Sequence, residues 1–162
     1  WNQTSAGFKN FASATGLTFS ASSSAQNAST NRALGYRQTG SFGDPGAAFV
    51  FLIANTNGKS NLQLEFKLQS LDAVAAPART VTWKVDYATG LNPGLFSTVT
   101  TSPATLTTQS GTYANTTVNV NFGSSLNNSS QPIWIRIVTL APSTGGGNRP
   151  STAVDDVKFS WN

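Results

Sequence analysis

The chain contains no cysteine, no histidine and no methionine. Without cysteine there is no disulfide and no thiol nucleophile. Without histidine there is no imidazole to serve as a general base near neutral pH, and a Cys/His zinc site is excluded. Charge is scarce as well: Asp, Glu, Lys and Arg make up 10% of residues, against about 25% in an ordinary soluble domain. No apolar run approaches the roughly 18 residues of a membrane-spanning helix. The chain opens at Trp1 in mid-pattern with no leader-like segment, so a mature fragment or an excised module is expected.

Hydroxyl and amide side chains fill the gap. Asn, Ser and Thr contribute 15, 20 and 21 of the 162 residues. A surface built from these groups rather than from Lys and Glu is typical of extracellular β-sandwiches, so a secreted or cell-surface location is expected. The net charge is +4, with Lys and Arg dispersed along the whole length. With no basic cluster, nucleic acid is not an expected partner. The length suits a single domain, residues 1–162, with a core that needs no staples.

The segment Pro132–Leu140 organises the rest. Ile133, Ile135 and Ile137 alternate with Trp134, Arg136 and Val138. A period of two makes a strand whose isoleucines face the core and whose Trp134 and Arg136 lie side by side on the other face. Residues 61–70 alternate in the same way, with Leu62, Leu64, Phe66 and Leu68 inward. Residues 47–54 are apolar on both faces, which predicts a central strand buried on both sides. With the Asn57-Gly58 turn signal between them, 47–70 is expected to be a β-hairpin. In 79–88, Val81, Trp83, Val85 and Tyr87 share a core face.

Further strands are expected at 17–19, 33–38, 95–96, around 104–106, at 118–122 and at 152–161. Gly35 within the second of these suggests a bulge or a close backbone approach. Ser20 to Asn31 and Ala73 to Ala78 read as loops. Regular short strands, frequent turns and no sustained helical period give an all-β fold: an antiparallel two-sheet β-sandwich. The long loops favour a jelly roll.

Six carboxylates are present: Asp44, Glu65, Asp72, Asp86, Asp155 and Asp156. A glycosidase needs two across a cleft. Glu65 and Asp86 are expected on polar faces of adjacent strands, where pairing with Lys67 and Lys84 accounts for them equally well. A serine hydrolase lacks its base. The reading is a protein that is not an enzyme. Counting back by two from Trp161, Phe159 and Val157 places Asp155 on the core face, where a carboxylate needs a cation or several donors. Three readings stand: Ca²⁺ held by Asp155 and loop oxygens together with Asp44 or Asn31, an ion pair with Arg32 or Arg37, or hydrogen bonds from loop amides.

Trp134 offers an apolar ring face to a pyranose, and Arg136 a planar fork for hydroxyls or a uronate carboxylate. The competing reading has Trp134 covered by a loop or by the N-terminal segment with Trp1. Tyr36 and Tyr113 border loops and are further candidate rim aromatics.

The ending Ser151–Trp161, with its Ala-Val-Asp-Asp-Val-Lys-Phe run, resembles the terminal strand of jelly-roll accessory modules in secreted multidomain proteins of the Bacteroidetes type. It is similar to the cleaved-adhesin, MAM-like and carbohydrate-binding-module sandwiches. Asn31–Gly35 followed by Pro45–Phe49 is similar to the early strand pair of such modules, and Trp134–Arg136 to their penultimate strand. The resemblance implies a non-catalytic module that binds polysaccharide weakly on a sheet face or loop edge. Structural calcium is often present in such sandwiches, and other domains of the same parent chain are expected partners. The alternative is a structural or adhesive spacer with no sugar ligand.

Overall fold

The computed structural model describes residues 9–13, 21–72, 79–111 and 113–162. The expectations for Trp1, for the strand at 17–19 and for the loop at 73–78 lie outside these residues. Among the described residues eleven strands and one helix follow in chain order: β1 (Lys9–Ala12), α1 (Ser23–Ala28), β2 (Arg32–Arg37), β3 (Ala48–Ile53), β4 (Gln63–Ser70), β5 (Thr80–Thr89), β6 (Ser97–Thr98), β7 (Thr101–Ser102), β8 (Leu106–Gln109), β9 (Ala114–Asn121), β10 (Ile133–Val138) and β11 (Ser151–Ser160).

Sheet one has the order β1-β2-β11-β4-β9-β7, and sheet two the order β3-β10-β5-β6 with β8 paired to β5. All pairings are antiparallel. The two-sheet antiparallel sandwich expected from the alternation is therefore what forms. Among the described residues no helix is long and apolar enough to cross a membrane.

One core lies between the sheets. Sheet one contributes Tyr36, Leu64, Phe66, Leu68, Val118, Val120 and Val154, and sheet two Phe49, Val81, Trp83, Val85, Leu106, Ile133, Ile135 and Ile137. The isoleucines of β10 are fully buried, and β10 is flanked by β3 and β5. The layers are also tied by polar groups. Trp83 Nε1 donates to Thr108 Oγ1 at 2.9 Å, and the Thr108 and Thr152 hydroxyls meet at 2.8 Å, joining β5, β8 and β11. A buried indole N–H without such a partner would lose a hydrogen bond it has in water.

Three expectations need correction. The segment 47–70 is not a hairpin, because β3 pairs with β10 in sheet two while β4 pairs with β11 and β9 in sheet one. The turn at Asn57-Gly58 instead carries the chain across the sandwich. It is pinned to the 124–131 loop by Thr56 N to Ser129 O, Gly58 N to Asn128 Oδ1 and Asn61 N to Asn127 Oδ1. Nor is β3 central: it ends the described order of sheet two, with Val50 and Leu52 50% and 57% exposed. The stretch expected as loop between 20 and 31 contains α1. Ser22 Oγ caps it by accepting the Ala25 amide, and the buried Gln26 accepts the Ala12 amide at 3.0 Å.

Gly35 is a close approach, as expected. A β-carbon there would sit 2.6 Å from Thr152 O and 2.8 Å from a Phe11 ring carbon. A second small cluster, Phe11, Ala33, Leu71 and Ala153 with Tyr113 against it, occupies this part of sheet one.

Candidate functional site

On β10 the side chains between the isoleucines face away from the core. Trp134 stands opposite Leu52 of β3 and Ala88 of β5, and Arg136 opposite Val50 and Asp86. The loop after β5 folds back over this face. Trp134 Nε1 donates to Gly90 O at 2.9 Å, and the Phe96 ring lies 3.5 Å from the Arg136 guanidinium carbon. Between loop and sheet runs a shallow groove of about 410 Å³ lined by Val50, Leu91, Asn92, Pro93, Phe96, Trp134 and Arg136.

Arg136 grips Asp86 with both prongs, Nε to Oδ1 at 2.8 Å and Nη2 to Oδ2 at 2.7 Å. Asp86 is 2% exposed. Its carboxylate is sheltered from water, so its oxygens need the two donors that Arg136 supplies. This corrects one expected role. The Arg136 fork is filled by Asp86 and packed under Phe96, so it braces the groove rather than reading a uronate carboxylate. It also corrects the pairing of Asp86 with Lys84.

The groove explains a pattern that the sequence presented ambiguously. Residues 48–53 are apolar on both faces because Phe49, Phe51 and Ile53 pack on the core while Val50 and Leu52 face outward beside Trp134. The second apolar face lines a surface groove and is not a second core. Leu91, Pro93 and Phe96 were not singled out from sequence. Their signal was an apolar residue at either end of a turn-rich loop, with Leu91 74% exposed.

The two tyrosines fall elsewhere. Tyr36 is fully buried and meets Phe42, Phe49 and Trp83 edge-on. Burial, with the Asp44 carboxylate nearby, pushes its phenol well above the ordinary value. Tyr113 lies against the Phe11 cluster and donates to Ser13 O at 3.0 Å. Tyr36 is therefore a core residue and not a rim aromatic, while Tyr113 is half-buried. They looked like loop-border aromatics because the parity of β2 and the contacts of residue 113 are set by tertiary packing.

The acidic candidates resolve into separate settings. Asp44 accepts the Ser143 amide at 2.6 Å, the Ser143 hydroxyl at 2.5 Å and the Arg149 guanidinium. Burial pushes its carboxyl up, but the Ser143 and Arg149 donors outweigh that and hold it below the ordinary 3.8. Asp155 Oδ2 accepts from Ser13 Oγ at 3.2 Å and lies 3.5 Å from Gln69 Nε2, while Oδ1 accepts the Asp156 amide at 2.9 Å.

Asp155 is not on the core face. The pairing with β4 jumps from Asp155↔Lys67 to Lys158↔Glu65, so β11 carries one extra residue between these pairs. Asp156 sits there at φ +48°. This β-bulge reverses the alternation, and counting back by two across it assigns the wrong face.

Asp44 faces Arg149, and the oxygens of Asp44 and Asp155 are engaged by different donors. Glu65 and Asp86 lie on different sheets, so they do not form the acid pair considered from sequence. Compared with known protein families, curated proteins and solved structures, the chain matches none.

Proposed function

We propose that this chain is a non-catalytic carbohydrate-binding module of a secreted or cell-surface protein, acting beside other domains of its parent chain. The observation that carries the reading is the groove in which Trp134 and Phe96 stand over an outward-facing sheet with Val50 and Leu91. An indole held by Gly90 and a ring held against Arg136 are rigid. Rigid aromatic walls take the apolar face of a sugar ring with little loss of side-chain entropy. Asn92 at the rim supplies an amide for hydroxyls. The strand order also supports the jelly-roll reading. Successive long strands alternate between the sheets, β2-β11-β4-β9 in one and β3-β10-β5 in the other.

Binding is expected between millimolar and micromolar Kd, roughly 4 to 8 kcal/mol. Several modules on one parent chain would then give useful avidity. The test is calorimetric titration with soluble polysaccharides, comparing the native protein with Trp134→Ala. A loss of about ten-fold in affinity with the melting temperature nearly kept supports the site. Unchanged affinity places the ligand elsewhere. No binding to any glycan at millimolar concentration favours a structural or adhesive spacer, the reading in which Trp134 and Phe96 serve only to hold the 90–96 loop down.

A further inference from the structure

The other outward face, on sheet one, carries a groove of about 450 Å³ over β11, β4, β9 and β7. Its floor is the strand backbone at Leu64 and Val120, whose side chains turn to the core, and its walls are polar. The register arranges the walls in two rows across the strands. Lys158, Glu65, Asn119 and Ser102 form one row, and Ser160, Gln63 and Asn121 the other. Neighbours are about 4.8 Å apart across strands and about 6.8 Å apart along them.

We propose that this face is a second ligand surface, distinct from the Trp134 groove, that holds a neutral oligosaccharide by hydrogen bonds alone. Gln63, Glu65, Asn119 and Lys158 all project into the groove, and none of the four makes a side-chain hydrogen bond or ion pair with another described residue. Glu65 and Lys158 are direct cross-strand partners and still do not pair. The groove thus offers donors and acceptors in mixture, on strands that cannot shift without disturbing the core. A sugar hydroxyl donates and accepts at once, and the side-chain amides of Gln63, Asn119 and Asn121 do the same. No aromatic ring lines the groove, so hydrogen bonding and not stacking selects the ligand. An extended peptide is the poorer match. It adds to a sheet edge through its backbone, and these groups are on a sheet face.

The ligand class rests on the reading of the chain as a carbohydrate-binding module, while the residues share nothing with the Trp134 groove. The test uses the intact chain and four soluble probes: hexasaccharides of β-1,4-glucan, β-1,3-glucan, β-1,4-xylan and β-1,4-mannan. Proton–nitrogen NMR follows the side-chain amides of Gln63, Asn119 and Asn121 and the indole N–H of Trp134 during titration. At least one probe is expected to shift the three amides, and the Gln63→Ala/Asn119→Ala double variant to lose about ten-fold in affinity at an unchanged melting temperature. Trp134→Ala should leave those amide shifts intact. Shifts confined to the indole, with affinity lost only in Trp134→Ala, overturn this proposal and leave the first groove standing. Shifts confined to the amides keep this proposal and overturn the first. No shift with any probe at about 10 mM, weaker than roughly 3 kcal/mol, overturns both.

Discussion

Tyr36 and Asp44 show how a side chain's role is decided by what surrounds it. Tyr36 fills a pocket among Phe42, Phe49 and Trp83. Tyr36→Ala is expected to lower stability by about 3 to 5 kcal/mol in urea unfolding, through a cavity the packed rings cannot close, with sugar affinity unchanged in what remains folded. Gly35→Ala forces a methyl against Thr152 O and Phe11, and should cost about 1 to 3 kcal/mol. Asp44 has a folded-state pKa below its ordinary value. It therefore contributes stability that is complete above about pH 4 and is lost as pH falls through the lower folded value. Asp44→Asn should remove that part of the acid dependence and cost about 2 kcal/mol at neutral pH, since Arg149 loses its partner while staying partly solvated. Chelation with EDTA should leave the melting curve unchanged, because Arg149 and Ser143 already satisfy Asp44. A drop in melting temperature would favour the calcium reading.

At the level of elements, what the sequence made legible is local periodicity. Strands β4, β5 and β10 lie close to where their alternation puts them, with the expected inward residues. What stayed hidden depends on partners. The apolar run 48–53 and the strand after it have hairpin chemistry between them, yet their pairing is settled by β10 and β11, which lie far along the chain. The outward position of Trp134 and Arg136 was readable from the isoleucines. The Asp86 partner and the Phe96 lid were not, because both come from the β5 strand and the loop after it. Arg136→Met leaves Asp86 buried without its fork. It should destabilise by about 3 kcal/mol and free Phe96, so that sugar affinity falls with stability. Phe96→Ala, by contrast, should weaken binding by about ten-fold while leaving the core intact, since Phe96 is only half-buried.

For the molecule as a whole, the core takes one face of each sheet and leaves two broad faces pointing in opposite directions, one with aromatic walls and one with amides. The bulge at Asp156 governs the second of these. Before it, β11 turns Val154 to the core; after it, Phe159 packs against Phe51 while Lys158 joins the outer row. One added residue therefore acts as a reading-frame shift within a single strand. Residues 151–154 are held by burial, whereas positions 158 and 160 lie in a frame of their own and can be exchanged without re-registering the sheet. Deleting Asp156 should remove the bulge and restore plain alternation, with Val157 opposite Phe66, Lys158 still in the outer row and Phe159 still on the core. The expected result is a retained fold with no new binding of a hydrophobic dye, whereas dye binding would show that the strand slipped register instead. Substitutions at Lys158 and Ser160, by the same logic, should alter only what the outer face recognises.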